Sequence, residues 1–161
     1  MSTDRLLIII GWTITTVLLL LYVPKARIRQ AFVIFMFKQL ITWLVGLVVV
    51  ELRLIEYPVR SFAYASKTSF DFEYFIYPAF CVLFNLYYPE GKSFLKRSLH
   101  YIYYCSALTA VEVVVEKYTD ILHYVNWAWY TTFITLFLTF FMSRQFYKWF
   151  FKIKENQAQS N

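Results

Sequence analysis

Apolar positions fall into five runs separated by short polar or basic stretches: Leu6 to Val23, Ala31 to Leu52, Phe72 to Tyr88, Ser98 to Val115 and Tyr124 to Met142. The first holds 18 residues, and a helix rising about 1.5 Å per residue crosses roughly 30 Å of hydrocarbon in that length or slightly more. The pattern predicts an all-α fold: an integral membrane bundle of about five transmembrane helices forming one domain over residues 1–154. Residues 53–70, with Pro58 and scattered Ser and Thr, are too polar to span and too aromatic for free coil, and read as an interfacial loop or short surface helix. Pro78 is expected to kink the third helix unless the helix proper starts near it. Pro89, Glu90 and Gly91 break the chain before the fourth run.

Composition agrees with lipid as the solvent. The chain is 60% hydrophobic, 22% aromatic and 16% charged, whereas soluble domains hold about 45–50% apolar and roughly 25% charged residues. The net charge of +6 raises nucleic acid as a partner, but the cations are grouped in short stretches between apolar runs, which excludes an extended basic face. Lys25, Arg27 and Arg29 form one group; Lys92, Lys96 and Arg97 another; Arg144, Lys148, Lys152 and Lys154 a third. Threading the runs back and forth puts these ten on one side and Arg5, Arg53, Arg60, Lys67 and Lys117 on the other, with Lys38 inside a span. The excess marks the cytoplasmic side, so the amino terminus is expected outside and the carboxyl terminus inside. The first run has its basic group after it and no small-residue cleavage site before Pro24, and reads as a retained anchor.

The stretch RQFYKWFFKIK sets Arg144, Lys148 and Lys152 four residues apart, away from Phe146, Trp149, Phe150 and Ile153. This predicts an interfacial helix over about 143–154, with Arg144, Lys148, Lys152 and Trp149 as lipid-surface anchors. ENQAQSN, residues 155–161, reads as a disordered tail. Cys81 and Cys105 lie within apolar runs and read as small buried side chains.

Polar residues inside spans are the best pointers to function, because a charge at the bilayer centre costs at least roughly 2.5–3.5 kcal/mol on insertion scales. Lys38 sits on a face with Thr42, Gly46 and Val49 that suits close helix packing; its long stem can also carry the ammonium to the headgroups. Tyr101, Cys105, Thr109, Glu112 and Glu116 recur at helical spacing, so one face of the fourth helix is polar and should point into the bundle. Glu112 is too short to snorkel and is expected to be protonated or to meet a donor from another span: a Tyr or Thr hydroxyl, Asn126 or His123. Such a group serves either as a structural hydrogen bond or in moving or binding a proton, cation or small ligand. Asn85, with Tyr77, Cys81 and Tyr88, forms a second polar face, and Thr131, Thr135, Thr139 and Ser143 a third, both suited to interhelical contact. Glu51, Asp71, Glu73, Glu116, Asp120 and His123 read as a solvated acidic rim outside.

HExxH, a phosphate-cradling glycine loop and GxSxG do not occur, and the chain has three glycines and two histidines, so neither an enzyme, a metal site nor a cofactor is expected. From Tyr77 to Tyr147 the sequence resembles a family of small, uncharacterised polytopic membrane proteins of Gram-positive, often spore-forming, bacteria. The resemblance rests on Tyr88 and Pro89 with the following Lys92 and Lys96, on Glu112 in the next helix, and on Tyr124, Trp127 and Trp129 at the last; the family's pattern before the tryptophan differs from HYVNWAW here. It implies a bacterial cytoplasmic membrane and a polytopic helical fold, and brings no activity. The leading functional expectation is a non-enzymatic accessory or scaffolding subunit whose polar seams pack against a membrane-protein partner or further copies of the chain. The alternative is a small transporter or channel component using Glu112 and Lys38.

Overall fold

The computed structural model describes residues 3–153, so the expectation for the tail at 155–161 lies outside the described residues. Five α-helices account for most of these: α1 (Thr3–Tyr22), α2 (Ile28–Glu51), α3 (Tyr77–Leu86), α4 (Phe94–Tyr118) and α5 (Trp129–Phe150). A 3₁₀ turn, Lys25–Arg27, leads directly into α2. Three segments are long and apolar enough to cross a membrane: Thr3–Tyr22, Lys25–Glu51 and Phe94–Tyr118. The expected third and fifth spans are not among them. The α-helical part of the third is only 10 residues, and α5 carries four threonines on its first three turns and Arg144 and Lys148 on its last.

Helix α3 explains the arrangement of the others. Its residues from Pro78 to Leu86 are almost all buried, which is what a helix apolar on every side requires. Around Phe84, completely buried, gather Tyr101 at 4.7 Å, Phe140 at 4.9 Å and His100 at 4.9 Å between ring centroids. These aromatic contacts join α3, α4 and α5 into one core.

The chain enters α3 through a π-helical segment, Phe70–Ile76. Pro78 has no N–H, so the carbonyls it would have served, Glu73 in π winding and Tyr74 in α winding, need donors from elsewhere. α2 supplies both. The Gln39 side-chain amide donates to Tyr74 O at 2.8 Å, and the Thr42 hydroxyl lies 2.6 Å from Glu73 O. The proline therefore starts α3 instead of kinking it, and the wide turn before it fixes how Glu73 points.

Residues 53–70 form no surface helix. Ile55–Glu56 (β1) pairs antiparallel with His123–Tyr124 (β2), Ile55 opposite Tyr124 and Glu56 opposite His123. This short ribbon replaces the first residues of the expected fifth span, so α5 starts at Trp129 rather than Tyr124. Val125 and Asn126 N–H both donate to Leu54 O, and Val59 N–H to Asp120 O, which lengthens the connection between the two loops. Beneath it Ile55, Tyr57, Phe72, Ile121, Leu122 and Val49 form a second apolar cluster that closes this end of the bundle.

At the other end, side chains tie successive helix termini together. Arg27 donates to Leu86 O at 2.7 Å, at the carboxyl end of α3 where the helix dipole favours a cation. Tyr87 donates to Tyr22 O at 2.8 Å, and Tyr147 to Gln30 Oε1 at 2.9 Å. Gly91, at φ +65°, makes the turn from α3 toward α4. The helices thus alternate in direction, and the described members of the three basic groups, all but Lys154, meet at this one end.

The carboxyl-terminal segment departs from expectation. Residues 143–150 are the last two turns of α5, with no break before Phe151, and the chain turns only at Lys152, φ +51°. Arg144 is not a surface anchor. It is 2% exposed, is ion-paired with Glu90, and lies over the rings of Tyr88 at 4.1 Å and Tyr147 at 5.3 Å. A guanidinium that finds a carboxylate and two ring faces in the bundle has no need of the lipid surface. Trp149 and Lys152 remain exposed, and Lys148 is half-buried.

Candidate functional site

The polar face predicted on α4 is the buried one: Tyr101, Cys105, Thr109 and Glu112 all face the bundle, and Glu116 is half-exposed. Glu112 receives hydroxyl donors from three elements. Tyr77 of α3 donates to Oε2; Tyr124 of β2 and Thr132 of α5 donate to Oε1, each at 2.7 Å. Trp127 Nε1–H in turn donates to Thr132 Oγ1 at 2.7 Å, holding the threonine in place. Of the donors expected for Glu112, hydroxyls are used and Asn126 and His123 are not; Asn126 is exposed and His123 sits against Asp120 at 3.3 Å.

The same arrangement contains a carboxylate assigned to the outer rim by sequence. Glu73 is 4% exposed, and shares with Gly46, Tyr57, Tyr77, Glu112 and Thr132 a cavity of about 60 Å³. That volume has room for a few water-sized molecules or one bare small cation. The hydroxyls of Tyr57 and Thr68 neighbour the Glu73 carboxyl group, yet among the described residues its Oε2 has no hydrogen-bond partner. Gly46 forms the seat: a Cβ there would collide with the carboxylate. Only glycine on α2 lets Glu73 lie where it does. Tyr57, in the loop that closes the cavity, has its phenol pushed well above the usual range by burial first and by the Glu73 carboxylate second, so it remains a neutral donor.

Lys38 lies deeper along α2. It is fully buried, so its ammonium is held inside the bundle rather than carried out to its surface. The ammonium donates to Thr139 Oγ1 and stands 4.5 Å from the centre of the Phe140 ring. Among the described residues no carboxylate forms an ion pair with it. Thr139 also lines the Glu73–Glu112 cavity, so one residue is shared between the ammonium and the acidic space.

The remaining predicted polar residues are distributed elsewhere. Asn85 is one turn from Cys81 on α3, and its amide reaches Cys81 O at 3.0 Å and Ser143 Oγ at 3.4 Å; Cys81 Sγ–H donates to Ser143 Oγ at 3.1 Å. This is a hydrogen-bonded seam between α3 and α5. Thr109 is buried, but it does not line the cavity, and among the described residues its hydroxyl has no hydrogen-bond partner. Tyr101 belongs to the opposite end, packed on Phe84 and on Phe137 at 5.2 Å. The structure therefore joins Glu112 with Glu73 and, through Thr139, with Lys38, and separates them from Thr109, Asn85 and Tyr101.

Chemically, the cavity offers two carboxyl groups, hydroxyls and a glycine backbone, all hard oxygen ligands or hydrogen-bond partners. Among the described residues no group of three or more His, Cys, Asp or Glu side chains is placed to hold a metal ion. Such a donor set suits a proton or a weakly held monovalent cation better than a transition metal. No protein family, curated protein or solved structure matches this chain. Functional inference therefore rests on this geometry.

Proposed function

We propose that this chain is a polytopic protein of the bacterial cytoplasmic membrane that takes up a proton or small monovalent cation at the Glu73–Glu112 cavity, as a component of a transporter or channel. Five crossings are supported by the alternation of the helices, the shorter π–α3 unit and α5 completing the set. The gathering of Lys25, Arg27, Arg29, Lys92, Lys96, Arg97, Arg144, Lys148 and Lys152 at one end supports an outer amino terminus and an inner carboxyl terminus. The cavity then lies toward the outer face, under the ribbon, and Lys38 about mid-membrane.

One observation carries the reading: a carboxylate oxygen of Glu73, buried and without a partner among the described residues, faces a space it shares with a second carboxyl group. Two such groups in a low-dielectric interior repel when both are charged, so a proton or cation between them is bound favourably. The accessory or scaffolding role expected from sequence loses the feature that suggested it. The polar seams are occupied within the chain, by Lys38 with Thr139 and by Cys81 with Ser143, and offer a partner little to bond.

The test is titration of the purified full-length protein in lipid nanodiscs with Na⁺, K⁺ and ammonium and across pH, followed by thermal unfolding, together with cation or proton flux in proteoliposomes. A saturable stabilisation and a flux that Glu73→Gln reduces by about tenfold or more are expected. Identical titrations for the wild type and Glu73→Gln would overturn the site, and binding without flux would overturn the transport role.

A further inference from the structure

Beside the acidic cavity, at the ribbon end of the bundle, lies a wider cleft of about 610 Å³. Glu51, Arg53, Glu56 and Lys67 line it and are exposed, so the cleft holds water. Ile55 and Tyr57 line both spaces. Burial alternates along this segment as it does in an extended strand: Ile55 and Tyr57 are 5% and 8% exposed, and Glu56 between them is exposed. Two side chains therefore turn to the cavity and one to the cleft, and residues 55–57 form the partition between them. From the cleft side Arg60 donates to Tyr57 O, while the Tyr57 hydroxyl neighbours the Glu73 carboxyl group. Among the described residues lining the cavity, Ile55, Tyr57 and Trp127 alone lie outside helices. A partition carried on a ribbon of two residue pairs yields more readily than the hydrogen-bonded turns of a helix.

We propose that ions reach the Glu73–Glu112 cavity from this cleft, across the partition of Ile55 and Tyr57, with Ile55 as the gate, an assignment that rests on the cavity being an ion site. The cleft is wide enough for an ion with its water and the cavity only for a bare one, so water is shed at the partition. Ile55 gives nothing in exchange, and an apolar side chain at that point is a dewetted barrier. Tyr57 and Glu73 supply oxygens just beyond it. Arg53, Arg60 and Lys67 outnumber Glu51 and Glu56 in the cleft, so charge does not concentrate cations there; its part is passage rather than binding. A gate sets how fast the cavity fills and empties and leaves its affinity unchanged, because entry and exit cross the same barrier.

The experiment uses the full chain in lipid nanodiscs and reads two quantities: the rate at which a water-soluble methanethiosulfonate labels Val49→Cys, and the midpoint of stabilisation by Na⁺, K⁺ or ammonium. Val49 lines the cavity and not the cleft. Adding Ile55→Ala should speed labelling at position 49 about tenfold and move the cation midpoint by less than about twofold. Ile55→Val guards against misfolding and should act in the same sense by about twofold. Leu122→Ala hollows the same apolar cluster but lines neither space, and should leave the labelling rate unchanged. Glu51→Cys, in the cleft, should react rapidly with or without Ile55→Ala. Unchanged labelling at position 49 in both Ile55 variants, or equal acceleration by Leu122→Ala, would overturn the gate. A loss of cation response in Ile55→Ala as large as that in Glu73→Gln would make Ile55 part of the site and overturn the gate as well. Faster labelling in Ile55→Ala with no Glu73-dependent cation response in any variant would instead overturn the ion site and leave the route into the cavity standing.

Discussion

Glu112 and Arg144 lie near opposite ends of the bundle, both almost sealed from solvent, and the fold compensates them by different means. The acid is surrounded by neutral hydroxyls from α3, β2 and α5, with a second acid across a small cavity. The base meets a full counter-charge, Glu90, and two aromatic faces. Neutral donors leave the local charge adjustable: a proton or cation can enter or leave without breaking an ion pair. A counter-charge plus ring faces fixes the charge permanently. The first arrangement suits exchange; the second suits anchoring.

The sharpest way to break this contrast is at Glu112. Replacing it by Leu leaves the Tyr77, Tyr124 and Thr132 hydroxyls around an apolar side chain. The Tyr124 and Thr132 oxygens, 3.2 Å apart, can satisfy each other, so the expected loss is about 3 kcal/mol rather than the sum of three stranded donors. Glu112→Gln keeps an acceptor in place and should cost about 1 kcal/mol. Unfolding in mixed SDS micelles measures both. Equal losses for the two variants would mean that the hydroxyl shell is not what holds Glu112.

Tyr77→Phe comes next. It removes one donor and no volume, and is expected to cost about 1–2 kcal/mol in the same assay. At the basic end Glu90→Gln should cost less, about 1 kcal/mol, because Glu90 is half-exposed and Arg144 keeps its ring contacts. Here the comparison gains a second axis. Raising the salt concentration should shrink the effect of Glu90→Gln in part, through the half-exposed Glu90 carboxylate, and leave that of Tyr77→Phe unchanged, since a phenol carries no charge to screen. Parallel salt dependence of the two would contradict the distinction drawn between the ends.

How far the sequence revealed these two regions follows from how local their determinants are. The polar face of α4 was legible, because residues 101, 105, 109 and 112 obey one helical period and α4 is a regular helix. Glu73 was not. A 3.6-residue period assigns it nothing useful, because Phe70–Ile76 is π-wound and its side chains do not follow the α-helical faces. The clue lay in Gly46, four residues beyond Thr42 on the α2 face already recognised as a packing seam; what packs there is a carboxylate. Arg144 was misread for another reason. Its local spacing with Lys148 and Lys152 is that of a surface stripe, and its partner Glu90 is 54 residues earlier, beyond any periodic signal. The ribbon of β1 and β2, with two residues in each strand, is too short for period-two alternation to appear.

Gly46→Ala is the subtlest probe and is expected to change stability least. Alanine improves α2 by about 1 kcal/mol through helix propensity, while its methyl group occupies the seat of the Glu73 carboxylate and forces that side chain to move. An overpacked core costs about 1–3 kcal/mol, but here the displaced atoms are the end of a flexible side chain beside a cavity that can receive them. The two contributions nearly cancel, and a net change within about 1 kcal/mol of zero is expected in SDS unfolding. Cation-dependent stabilisation, in contrast, should fall as far as it does in Glu73→Gln, because the carboxylate no longer faces Glu112. A variant that folds as well as the wild type yet has lost its cation response isolates the position of Glu73 from its contribution to packing. If Gly46→Ala keeps the full response, the alignment of the two carboxyl groups across the cavity is irrelevant to binding, and the acidic end is compensated for structure alone, as the basic end is.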